Sequence, residues 1–131
     1  MDSKKMGLVY KVIALVMAVG LFLPAYSSWG ESANYFQLAF TAFEQVTDCV
    51  FIVIAVIGIA VFTLAPVGTK NVRIILGIIF GIIAIIFIVR IGDALSLLAS
   101  KSIGYFIELL GSIAVIALGV LAKINVIDVD I

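Results

Sequence analysis

The chain has 131 residues, 65% of them apolar and 12% charged, with eight Lys and Arg balancing eight Asp and Glu. Soluble proteins carry roughly 25% charged residues, so this much apolar surface exceeds what one soluble core of this length can hide. Zero net charge supplies no field for nucleic acid, and with no His and one Cys neither an internal disulfide nor a one-chain Cys/His zinc site can form.

Residues 1–6 are a short polar start carrying Lys4 and Lys5. The first apolar segment, about 7–26, is interrupted only by Lys11, whose methylenes can lie in lipid while its ammonium reaches the headgroups. A basic start, an apolar middle and Ala25-Tyr26-Ser27 are also the features of a secretory signal. A retained helix is the expectation, ended or kinked by Pro24.

The connection from Ser27 to Thr47 is the longest in the chain. Phe36, Phe40 and Phe43 recur at helical spacing, with Trp29 and Tyr35 nearby and Glu31, Gln37, Glu44 and Gln45 between them. This predicts a short amphipathic helix over about 32–45, with Trp29, Phe36, Phe40 and Phe43 as anchors at headgroup depth.

Two nearly unbroken apolar runs come next, Cys49–Leu64 and Ile74–Val89, joined by the basic turn Pro66-Val-Gly-Thr-Lys-Asn-Val-Arg73. In a bilayer each helix satisfies its own backbone hydrogen bonds, and adjacent runs of this kind are what that solvent requires. They predict helices over about 47–65 and 73–91, the first ended by Pro66 and Gly68. The apolar interior 74–89 spans about 24 Å, short of a hydrocarbon layer of roughly 30 Å, so Arg73 and Arg90 are expected to snorkel outward. Gly92-Asp93 breaks the pattern, Asp93 is a potential N-cap for the next segment, and 94–102 reads as a short helix or an early start of the last one. That last helix is expected over about 103–122, with a short exposed tail beyond it.

The fold expected is therefore all-α: a single transmembrane domain over 1–131, a four-helix bundle with a short amphipathic outer helix between its first two members. With both termini inside, Lys4, Lys5, Lys11, Lys70, Arg73 and Lys123 fall on the inner side and only Arg90 and Lys101 on the outer. That bias places both termini in the cytoplasm, and a plasma membrane is the expected location. Membrane helices choose neighbours by close packing of small residues, which singles out Gly77-x-x-x-Gly81, Gly104 and Gly111. Helix 7–26 offers Gly7, Lys11, Ala14 and Ala18 along one face, and for Gly77/Gly81 an internal contact is preferred over an oligomeric one.

Glu108 is the most informative side chain, a carboxylate well inside an apolar helix on the face shared by Lys101, Gly104, Gly111 and Ser112. It is either an ion- or proton-binding group or the partner of Arg90, Lys101 or a tyrosine. Glu44, Asp48, Arg90, Asp93 and Lys101 fall on the outer side with it, as a polar belt of ion pairs or, in an oligomer, a cation-attracting vestibule.

Catalysis finds no support. No nucleophile stands beside a base, and the commonest general base is missing. No phosphate loop, zinc-protease motif or nucleophile elbow occurs, and no cofactor is expected. Four helices with a long first outer connection have the general shape of claudin-like and other tetraspan proteins, but their Trp…Gly-Leu-Trp…Cys…Cys loop is reduced here to Trp29-Gly30. Small multidrug exporters carry a glutamate in the middle of their first helix, and 7–26 has none. The function expected is a non-enzymatic accessory or scaffold subunit, with the lipid bilayer and either its own copies or another membrane protein as partners. The alternative is a homo-oligomeric channel, transporter or membrane-permeabilising protein, holin-like or defensive, using Glu108 and the outer acids.

Overall fold

The computed structural model describes residues 3–28, 31–39, 49–64, 68–95 and 100–124. In chain order these form α1 (Ser3–Gly20), β1 (Tyr26–Ser28), β2 (Glu31–Ala33), α2 (Tyr35–Ala39), α3 (Cys49–Leu64), α4 (Lys70–Leu95), β3 (Ser100–Lys101) and α5 (Ile103–Lys123). The long helices form a ring in which α1 lies on α3 and α5, and α4 lies on the same two from the other side. Residues 70–93 and 103–123 are long and apolar enough to cross a membrane; α3 is equally apolar but has 16 residues.

Helix α1 starts earlier and ends sooner than its apolar pattern suggests. It stops at Gly20, ahead of Pro24, because its last carbonyls are taken up in tightening turns: Leu21 N–H to Met17 O and Ala18 O, Phe22 to Val19 and Leu23 to Gly20. The residue before a proline is pushed toward extended backbone, and the chain leaves Leu23-Pro24 as a strand. Its buried stripe is Tyr10, Ala14, Met17 and Leu21, one helical face. That stripe differs from the expected face Gly7, Lys11, Ala14 and Ala18, sharing with it only Ala14.

The strands were not expected. β1 pairs antiparallel with β2 (Tyr26 opposite Ala33, Ser28 opposite Glu31) and, along its other edge, with β3 (Tyr26 opposite Lys101, Ser27 opposite Ser100), giving the order β2-β1-β3. Segments of two or three residues are too short to show a period, so only the pairing reveals them. Ala25 N–H to Ala33 O (2.9 Å), Ser102 N–H to Ala25 O (2.8 Å) and the Ser27–Ser102 hydroxyl contact (3.2 Å) lock the sheet to the start of α5.

Within the predicted 32–45 helix, the described helical turn is α2. Asn34 caps it: its Oδ1 accepts from Gln37 N–H (2.7 Å) while Gln37 Oε1 accepts from Asn34 N–H (3.1 Å), a reciprocal capping box. The Asn34 amide also donates to Phe22 O, and the Phe22 and Phe36 rings lie 5.1 Å apart. Phe36 is on the exposed side of the turn while Tyr35 is fully buried.

Helix α3 buries Ile52, Ala55, Val56, Ile59 and Thr63 and exposes Phe51, Ile54, Ile57 and Val61. Thr69 begins α4, its carbonyl and hydroxyl accepting from Arg73 N–H and Val72 N–H, after Gly68 turns the chain at φ +78°, a conformation glycine takes freely. Helix α4 is longer at both ends than 73–91 and measures about 39 Å at 1.5 Å per residue. Two expectations change with it. Asp93 lies inside α4 and caps no later helix. Arg73 does not snorkel: it is buried, its Nε donating to Phe62 O (2.7 Å) and Nη2 to Thr63 O (2.8 Å), so it closes the C-terminal end of α3. Residues 94–95 finish α4, and Ser100–Lys101 form β3 rather than an early turn of α5.

Candidate functional site

Helix α5 meets α1 at Glu108 and Gly111 and the Leu23-Pro24 segment at Gly104, while the Ser112 backbone faces Gly81 of α4. At Gly104 the two chain segments all but touch: the Gly104 N–H donates to Pro24 O at 2.7 Å, and a Cβ there would stand 2.5 Å from Leu23 O. One turn on, the Glu108 carboxylate lies against Gly20, where a Cβ would come 2.6 Å from Oε1. At Gly111 the side chain of Met17 fills the space a Cβ would need. Glycine on α1 thus makes the room that the carboxylate occupies.

Glu108 is 0% exposed, and neither of its oxygens has a hydrogen-bond partner among the described residues. Ser112, one turn further on the same face, is also 0% exposed, with its hydroxyl unpartnered in the same sense. Both are buried polar side chains on one face of an apolar helix. An unpaired buried polar group is costly, and an intramembrane ionisable residue is a functional candidate for that reason.

A tyrosine cluster joins α2, β1 and the start of α5. Tyr35 and Tyr26 share a hydroxyl contact of 3.2 Å, with their rings edge to face at 5.7 Å, and Tyr26 lies 5.9 Å from the Tyr105 ring. Burial pushes the Tyr26 hydroxyl up to about 12, against the contrary pull of its bond to Tyr35 and with smaller contributions from Cys49 and Tyr105. Tyr35 is raised further, by burial first, then by Tyr26 and Cys49 and by the Glu108 carboxylate. At the opposite end, the Tyr10 hydroxyl lies against Gly77 and approaches Thr63 without a hydrogen bond of proper geometry.

The remaining candidates divide by place. Lys101 is exposed, its ammonium 5.1 Å from the centre of the Tyr105 ring, and makes no bond to Glu108. Arg90 and Asp93 are exposed near the end of α4, each engaged in an interaction. Gly77 and Gly81 face Tyr10 and Ile116 of the same chain. Glu44, Asp48, Trp29, Phe40 and Phe43 lie outside the described residues, and with them the Asp48 end of the expected belt. Sequence reasoning grouped Glu108 with Ser112, Gly104 and Gly111 but missed Gly20, Tyr35 and Tyr26. Only the capping box Asn34-x-x-Gln37, a legible signal, could have anchored Tyr35 in advance. Comparison with protein-family models, with curated proteins and with solved structures finds no match for this chain.

Proposed function

We propose that this is a polytopic membrane protein in which α1, α3, α4 and α5 all cross a plasma membrane, with both termini cytoplasmic. We further propose that it works without chemistry of its own, as an accessory or scaffold subunit of a membrane assembly. One observation carries the membrane reading: every long helix turns large apolar side chains outward. Leu15 on α1, Ile54 on α3, Ile86 on α4 and Leu110 on α5 are each more than half exposed. Monomeric soluble proteins rarely expose contiguous apolar surface on this scale. Supporting the orientation, Lys4, Lys5, Lys70 and Lys123 stand at the helix ends away from the sheet, where Lys123 bonds the Asn71 side chain.

The tests are direct. Alkaline extraction should leave the protein in the membrane pellet, and a reporter at the C-terminus should be active only in the cytoplasm; release, or an outside C-terminus, overturns this topology. Native mass spectrometry of gently extracted protein should show a defined complex with a different protein. A closed homo-oligomer would instead favour the second reading, a channel, transporter or membrane-permeabilising protein, which has the unpartnered Glu108 in its favour. Ion flux in liposomes that disappears in Glu108→Gln would establish that reading over the scaffold.

A further inference from the structure

We infer that Glu108 and Ser112, together with the C-terminal end of α1, form a binding site for a small monovalent cation of the sodium class. This goes beyond the scaffold reading and rests on the buried geometry of α5 against α1. The donor set is all oxygen: both carboxylate oxygens of Glu108 and the Ser112 hydroxyl, on one face one turn apart, fully buried and without hydrogen-bond partners among the described residues. Oxygen donors suit hard cations.

The electrostatics select a positive ligand. The carboxylate sits at Gly20, the last residue of α1, and α1 has no basic residue in its last turn to answer it. The carbonyls of Met17, Ala18, Val19 and Gly20 already accept from Leu21, Phe22 and Leu23 N–H, so the charge that attracts a cation is the carboxylate's own, in an apolar surround. Among the described residues the Tyr35 hydroxyl of α2 interacts electrostatically with Glu108, and the cations Lys101 and Arg90 are exposed. Among the described residues Glu108 is the carboxylate placed here; one positive charge neutralises it, while a divalent ion would leave an unbalanced charge in an apolar interior, so the class is monovalent. Gly20 is the device that admits the site, because a Cβ there would come within 2.6 Å of Oε1.

The test is thermal unfolding of the purified protein, with NaCl replaced stepwise by choline chloride at constant ionic strength. A ligand that binds only the folded state raises the melting temperature with its concentration. Sodium should raise it by ~5 °C or more at saturation, and choline should not. Sodium-23 NMR line broadening should report the same saturable binding. Ser112→Ala, which removes one donor and retains the carboxylate, should weaken the apparent affinity at least several-fold while the protein stays folded. Glu108→Gln should abolish the sodium response. A wild type indifferent to sodium, including one whose stability moves with pH alone because the carboxyl holds only a proton, overturns the proposal. So does a sodium response that survives unchanged in Ser112→Ala and, where it folds, in Glu108→Gln.

Discussion

Gly104→Ala is the substitution that most sharply tests how α5 is seated. The added Cβ would stand 2.5 Å from Leu23 O and 2.9 Å from Pro24 O, whereas ordinary contact begins near 3.4 Å. Both obstacles are backbone, held by Pro24 and the sheet behind it, so neither can swing aside as a side chain would. Relief requires α5 to retreat by close to 1 Å, which stretches Gly104 N–H to Pro24 O (2.7 Å) and Ser102 N–H to Ala25 O (2.8 Å). Overpacking costs about 1–3 kcal/mol and each weakened hydrogen bond about 0.5–1.5 kcal/mol, offset by the roughly 1 kcal/mol that alanine gains over glycine inside a helix. The net expectation is a loss of about 1–5 kcal/mol. Gly111→Ala is the matched control: its Cβ meets the side chain of Met17, which has several rotatable bonds and can repack, so its loss should be smaller. Denaturant titration in detergent, followed by tryptophan fluorescence and hydrogen exchange, measures both. A Gly104→Ala protein as stable as wild type, or less damaged than Gly111→Ala, would refute the close approach of α5 to the 23–24 backbone.

Three further outcomes are expected. Arg73→Met should destabilise by about 1.5–3 kcal/mol per charged hydrogen bond lost, because the Phe62 and Thr63 carbonyls lose a buried donor; faster exchange at the end of α3 is the local readout. Asn34→Ala should remove both halves of the capping box and cost about 0.5–2 kcal/mol, seen as lost exchange protection confined to α2. With Tyr26 raised from 10.0 to about 12, the folded state favours its neutral phenol, so this contribution is complete below pH 10 and lost as pH rises toward 12. The shift corresponds to about 2–3 kcal/mol, and Tyr26→Phe should flatten the alkaline limb of the stability profile measured by melting across that window.

Local chemistry determined a good deal of this protein by itself. Runs as apolar as Cys49–Leu64 and Ile74–Val89 are sequences whose backbone is satisfied as helix wherever water is scarce, and both are helical. Helical spacing alone put Glu108, Gly104, Gly111 and Ser112 on one face, because a 3.6-residue period needs no knowledge of neighbours. The tertiary structure decided what lies opposite that face. Gly92 and Asp93 signal a helix end locally, yet α4 continues through them: a Cβ on Gly92 would be 3.1 Å from the Tyr105 ring, and the packing this glycine admits can outweigh its propensity penalty of roughly 1 kcal/mol. Arg73 reads as a snorkelling cation until α3 is folded back beside it and offers two carbonyls. β3 exists only by pairing with β1, a segment some 75 residues away in sequence, and β1 and β2, though neighbours, are too short to carry a pattern of their own. Whether Glu108 finds a cationic partner or lies alone against Gly20 depends on where α1 ends and which helix it ends upon. Charge and spacing on one helix carry no information about that, because the answer lies in another part of the chain.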